Sequence, residues 1–191
     1  MDKIRCPWCL ADPLYIKYHD TEWGRPLKNN RRLFELLILE GAQAGLSWLT
    51  ILKRREGYRA AFDRMDPEKI ARYGEQDLIR LLGDQRIIRN RRKIESAIGN
   101  ARAYLTMMEG PQSFSTWLWD HVDGEPLINH FKTMDRIPVT TPLAEGIAKE
   151  LKKRGFSFVG PTIIYSFLQS AGLVNDHLTS CYLRNKETKA T

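Results

Sequence analysis

No apolar run in the chain approaches the ~18 residues needed to cross a bilayer, and Met1-Asp2-Lys3-Ile4-Arg5-Cys6 lacks the apolar segment of a secretory signal. The sequence therefore reads as cytoplasmic. Cysteine is scarce. Cys6, Cys9 and Cys181 are too few and too unevenly placed for a disulfide framework, and beside histidines they read better as metal ligands. Strand-like alternation and tight hairpin dipeptides are also nearly absent, which argues against a β architecture. There is no internal repeat, and the only biased segment is the polar stretch Arg184 to Thr191, read as a frayed tail.

What is present has helical periodicity. The 191 residues are enough for one domain, 1–191, with its own core. Apolar spacing predicts helices over Leu33 to Glu40, Trp48 to Phe62, Asp77 to Leu82, Asn90 to Met108 and Phe114 to Val122. Asp66-Pro67 and Thr141-Pro142 each place a cap before a proline at the first helical position. Gly155 and Gly172 stand where the last two helices should stop. Asp123 to Pro138 reads as loop, and Trp117 and Trp119 as core. The fold class is all-α.

Cys6 and His19 near one end, with His177 and Cys181 near the other, make a Cys2His2 set suited to one tetrahedral structural zinc. His177-x3-Cys181 has the spacing of one helical turn, so both side chains can share a face. Such a clip would couple the two ends of the chain to folding. Cys6-x2-Cys9 is also a ligand spacing, so on spacing alone Cys9 competes with His19 for the fourth position. A filled set leaves no open coordination position for water, as catalytic zinc needs.

Thirty Lys and Arg against 23 Asp and Glu give a formal charge of +7, which favours a polyanionic partner. Arg86-Ile87-Ile88-Arg89-Asn90-Arg91-Arg92-Lys93 holds five cations in eight residues, and Lys53-Arg54-Arg55 and Lys152-Lys153-Arg154 are shorter clusters. The last precedes Gly155-Phe156-Ser157-Phe158-Val159-Gly160-Pro161-Thr162, which resembles the helix-hairpin-helix element of base-excision glycosylases. In that reading Gly160 lets the backbone approach a phosphate, N–H groups near Thr162 point at it, and Lys153 supplies charge. Val174-Asn175-Asp176-His177 falls where that superfamily carries a Val-Asp-x-His segment. Asn175 then replaces its catalytic aspartate and Thr162 its Schiff-base lysine, implying no covalent intermediate and no strand-nicking lyase step.

The N-terminal quarter is rich in aromatics: Trp8, Tyr15, Tyr18, Trp23 and Trp48. Three segments carry the closest likeness: Asp12-Pro13-Leu14-Tyr15-Ile16-Lys17-Tyr18-His19-Asp20-Thr21-Glu22-Trp23-Gly24, then Leu39-Glu40-Gly41-Ala42-Gln43-Ala44-Gly45-Leu46-Ser47-Trp48, then Lys152 to His177. From Cys6 to Cys181 the chain resembles the 3-methyladenine DNA glycosylase I family. Arg86 and Arg92 depart from it, since the family is expected to have small residues there.

The resemblance implies a helical domain whose zinc is held by Cys6, His19, His177 and Cys181. It also implies a pocket in which Tyr18 and Trp48 stack on a flipped purine, Trp8, Trp23 and Tyr15 line the walls, and the catalytic Glu40 bonds the base edge. Leu46 would fill the gap left in the duplex, with Gln43 beside it. The implied partner is double-stranded DNA containing alkylated bases, bound by a monomer without a nucleotide cofactor. Two other readings compete: a non-catalytic zinc-stabilised DNA-binding module, which Glu40 would not serve, and a zinc hydrolase, which the closed ligand set disfavours.

Overall fold

The computed structural model describes residues 3–184. Its α-helices are α1 (Pro13–Thr21), α2 (Asn30–Gln43), α3 (Trp48–Ala61), α4 (Pro67–Ala71), α5 (Glu75–Gly83), α6 (Arg91–Met108), α7 (Phe114–Asp120), α8 (Pro142–Lys153) and α9 (Pro161–Ser170). The all-α expectation holds, with one addition. The segment expected to be loop forms a two-residue strand, β1 (Leu127–Ile128), which pairs in parallel with β2 (Val174–Asn175). None of these helices is long and apolar enough to cross a membrane.

Helix starts follow local chemistry. Asp12, Asn29, Ser47, Asp66, Asn90, Ser113 and Thr141 each accept a hydrogen bond from a backbone N–H in the first turn of the helix they precede. Asp12-Pro13 is such a signal in a segment for which no helix was expected, so α1 is a helix the periodicity missed: its apolar and polar residues barely segregate. At the far end, Gly172 sits at φ 73°, where a Cβ would lie 2.2 Å from the Arg25 carbonyl carbon. Only glycine ends α9 there without driving the first quarter of the chain away.

Helix α2 is the axis of the packing. It contacts α3, α6, α7 and α9 and buries Leu33, Phe34, Leu37, Ile38 and Leu39. Glu40 is buried on the same helix. The termini converge on one side, where Cys6, Leu178, Cys181 and Leu183 form a satellite core. Arg184, read as the start of a frayed tail, is instead buried, with its guanidinium on His130 Nδ1 at 3.0 Å. The rest of that stretch, 185–191, lies outside the described residues. Trp117 and Trp119 are core, as expected, and Trp119 Nε1 donates to the Leu27 carbonyl at 2.8 Å.

Candidate active site and metal centre

All four expected ligands meet. Cys6 Sγ, His19 Nε2, His177 Nδ1 and Cys181 Sγ lie within 4.8 Å of one another and are buried. A tetrahedral zinc with bonds of about 2.3 Å to sulfur and about 2.05 Å to nitrogen holds sulfur and nitrogen ligands about 3.6 Å apart. Here Cys6 Sγ to His177 Nδ1 is 3.7 Å, Cys181 Sγ to His177 Nδ1 is 3.5 Å and Cys181 Sγ to His19 Nε2 is 3.5 Å. The donor set and its spacing fit such an ion. Asp20 Oδ1 accepts from His19 Nδ1 at 2.9 Å, which leaves Nε2 as the free lone pair, and Arg5 anchors Asp20 in turn.

Two details of this centre differ from the spacing arguments. Cys9 is buried but donates its S–H to the Cys6 carbonyl at 3.2 Å and stands outside the cluster. His177 and Cys181 are not on a helix: a turn, closed by Cys181 N–H to the Leu178 carbonyl at 2.8 Å, brings them to one side. The Cys181 thiol is held well below its usual range, first by the Cys6 hydrogen bond and then by those from His177 and His19. Gly24, at φ 73°, lies beneath the His177 ring, and a Cβ there would approach Nε2 to 2.9 Å.

The Cys2His2 cluster backs onto an aromatic wall. Trp8 and Trp23 make an edge-to-face pair at 5.0 Å, and Trp23 meets His177 edge-to-face at 4.7 Å. Beyond them opens a cavity of about 350 Å³ lined by Trp8, Tyr15, Tyr18, Trp23, Glu40 and Trp48, with Gln43 at its edge. The expected aromatic and acidic residues are thus brought together. Tyr18, Glu40 and Trp48 are buried, yet Tyr18 Oη, Glu40 Oε2 and Trp48 Nε1 have no hydrogen-bond partner among the described residues. Such groups are costly to bury and need an account. Ser170 Oγ donates to Glu40 Oε1 at 2.8 Å, but burial dominates and pushes the Glu40 carboxyl up to about 8.

The other wall was not anticipated. Tyr165, Ser166, Gln169 and Ser170 of α9 line the cavity with Thr162, as do Met134, Ile137 and Pro138 from the segment read as loop and Val139 just after it. The α9 residues carried a signal: in Pro161 to Ser170 the polar positions recur three and four apart, marking one face of an apolar helix. The loop residues carried none.

The turn between α8 and α9 runs into Gly160. That glycine is extended, at φ −65°, with open space where a Cβ would go. Phe158, at φ 52°, is the left-handed residue, and Gly155, at φ 90°, leads into the turn. Buried Asn100 grips it by two bonds, Nδ2 to the Ser157 carbonyl at 3.0 Å and Oδ1 from Ser157 N–H at 2.8 Å. Helix α9 has no side-chain cap. Thr162, Lys152 and Lys153 are exposed, as is Leu46 at 40%.

The remaining basic clusters are largely committed. Lys53 pairs with Asp12, Arg55 with Glu22, Arg86 with Asp84, and Arg91 with Glu75 and Glu95. Lys93 Nζ donates to the Ala42 and Ala44 carbonyls at 2.8 and 2.7 Å, closing the end of α2.

Comparison with known proteins agrees with this geometry. The chain matches the methyladenine glycosylase family over residues 8–185. It is 51% identical over 177 residues to DNA-3-methyladenine glycosylase 1 of Escherichia coli K12, covering 93% of this chain and 95% of that one. The chain belongs to the methyladenine glycosylase family. Among solved structures, a 3-methyladenine DNA glycosylase I superposes with TM-score 0.92 at 54% identity, over 94% of this chain and 98% of the other. The Staphylococcus aureus 3-methyladenine DNA glycosylase I, solved to explain 3-methyladenine recognition, superposes with TM-score 0.92 at 40% identity, over 95% and 97%. The family's fold is therefore that of this chain.

Proposed function

We propose that this methyladenine glycosylase family member works as a single-domain, monomeric base-excision enzyme, cutting N3-alkylated purines, chiefly 3-methyladenine, from double-stranded DNA in the cytoplasm. The observation that carries the reading is the set of three buried, unpartnered polar atoms on residues of one aromatic-lined cavity. Their desolvation is justified by a planar ligand with polar edges. Reaching such a cavity requires the base to be flipped out of the stack.

Alkylation at N3 makes adenine cationic, so breaking the bond between N9 and C1′ sends the electron pair into a base that leaves neutral. Water then adds to C1′ and gives up a proton. Little catalytic push is needed, and discrimination falls to binding. Tyr18 and Trp48 offer faces to the cation, and Glu40, ionised opposite it, offers charge-assisted bonding. Normal adenine lacks the charge. Thr162 replaces the nucleophilic lysine of lyases, so the reaction is monofunctional hydrolysis.

The surface fits the same reading. Exposed Leu46, in the small-residue turn after α2, fills the space of the extruded nucleotide beside Gln43. The uncapped N-terminus of α9, with Gly160, Thr162 and nearby Lys153, receives a phosphate in a helix-hairpin-helix manner. One structural zinc on Cys6, His19, His177 and Cys181 would fix the wall formed by Trp8 and Trp23. Methylated duplex DNA tests the proposal: wild type should release free 3-methyladenine, with release greatly reduced in folded Glu40→Gln and Trp48→Ala. Binding without release would favour the non-catalytic DNA-binding module instead.

A further inference from the structure

Stacking and a single carboxylate recognise a cation, but they do not tell one cationic purine from another. Adenine and guanine alkylated at N3 are both positive and both planar. They differ at position 2, where only guanine carries an amino group, and at position 6, where one carries an amino donor and the other a carbonyl acceptor. Reading position 6 requires a polar group whose direction is fixed.

Most polar groups around the cavity can adapt. The hydroxyls of Tyr18, Ser166 and Ser170 rotate to donate or accept, and the Glu40 carboxyl can bond with or without its proton. Gln169 differs. Its Nε2 donates to Asp176 Oδ2 at 2.7 Å, and Asp176 is fully buried behind the cavity wall. The same carboxylate accepts from Tyr165 Oη at 2.5 Å and from Asn129 Nδ2 at 2.7 Å. Turning the amide over would set its carbonyl against Asp176, replacing a bond with acceptor–acceptor repulsion. Gln169 Oε1 is thereby left turned away from Asp176, on a residue that lines the cavity.

Building on the glycosylase reading, we propose that Gln169 is a specificity residue, its locked Oε1 accepting the 6-amino group of the flipped base and repelling a 6-carbonyl. Asp176, with Tyr165 and Asn129, is the positioning unit that keeps the amide from turning. A site built to bond a donor rejects an analogue lacking it more strongly than shape alone can.

Two measurements test this. From duplex DNA bearing both N3-methyl purines, kcat/KM for release of 3-methyladenine and of 3-methylguanine is compared between wild type and Gln169→Met, after melting curves establish that the variant is folded. The preference for 3-methyladenine should narrow about tenfold or more, chiefly because its own release falls. Separately, wild type should bind free 3-methyladenine more tightly than free 3-methylguanine by calorimetry, a readout that needs no turnover and no variant. An unchanged ratio in folded Gln169→Met, or equal affinity of wild type for the two free bases, overturns the proposal. If wild type releases neither base, the glycosylase reading has failed, and free-base binding alone decides the role of Gln169.

Discussion

The Cys2His2 cluster and the aromatic cavity share a wall, and both bury polar groups, but they settle those groups in opposite ways. In the cluster every ligand atom has a neighbour at ligand spacing, and Asp20 and Arg5 complete a closed set. In the cavity, Tyr18 Oη, Glu40 Oε2 and Trp48 Nε1 stay unpartnered among the described residues. A satisfied buried cluster stabilises the fold. An unsatisfied one costs stability that only a ligand returns, and such costs are characteristic of functional sites.

The sharpest way to break the comparison is to open the closed side. Cys181→Ala should abolish zinc binding, read as moles of metal per chain, and lower stability by at least ~3 kcal/mol because binding and folding are linked. Near-normal melting with no metal would show that the satellite core around Leu178 and Leu183 closes the termini unaided.

On the open side the two effects should diverge. Glu40→Gln is expected to lower release of 3-methyladenine about 100- to 1,000-fold. The same variant should be the more stable protein near neutral pH, by about 2–3 kcal/mol in denaturant unfolding. The sign follows from the raised carboxyl at about 8 against an ordinary 4.5. Between those values the folded chain keeps a proton that the unfolded chain has released. Stability from this group is complete below the lower value and is lost as pH rises toward the higher one. A loss of stability in Glu40→Gln would mean that Oε2, like Oε1, has a partner after all.

The pH dependence of turnover sharpens this further. If the ionised carboxylate meets the cationic base, kcat/KM should climb up to about tenfold per pH unit below 8 and level off above it. Glu40→Gln should flatten the climb. A decline above 8 would assign the proton-bearing form to the reaction.

The two regions were also unequally legible. Cys6, His19, His177 and Cys181 are chemically distinctive residues, and the resemblance selected them over Cys9, whose spacing was equally suitable. Spacing failed only for the local conformation at His177 and Cys181, because a turn can do what a helix does. For the cavity, the aromatic density of the N-terminal quarter was legible in the residues themselves, and the resemblance singled out Tyr18, Trp48 and Glu40. Met134, Ile137, Pro138 and Val139 were not legible, since a loop's approach to a cavity is set by β1 pairing with β2 across almost fifty residues, beyond any local pattern. The left-handed residue of the hairpin was not legible for a related reason. Glycine is the usual occupant of positive φ, but here Asn100 holds the turn firmly enough for Phe158 to take it.

The smallest effects belong to the surface proposed to bring DNA to the cavity, and there the comparison separates positioning from recognition. Leu46 is exposed at the end of α2, so Leu46→Ala should leave melting within about 0.5 kcal/mol of wild type. If it fills the gap in the duplex, release from duplex should fall about tenfold while release from single strands holds, since no stack needs repair there. Lys153→Ala should do less and do it uniformly. Lys153 has no ion-pair partner among the described residues, and a phosphate contact there would contribute about one unit to the slope of log affinity against log salt. A slope unchanged by the substitution would move the backbone contact off the hairpin and onto exposed Arg89 and Arg92, whose helix start lies on the Asn90 cap of α6.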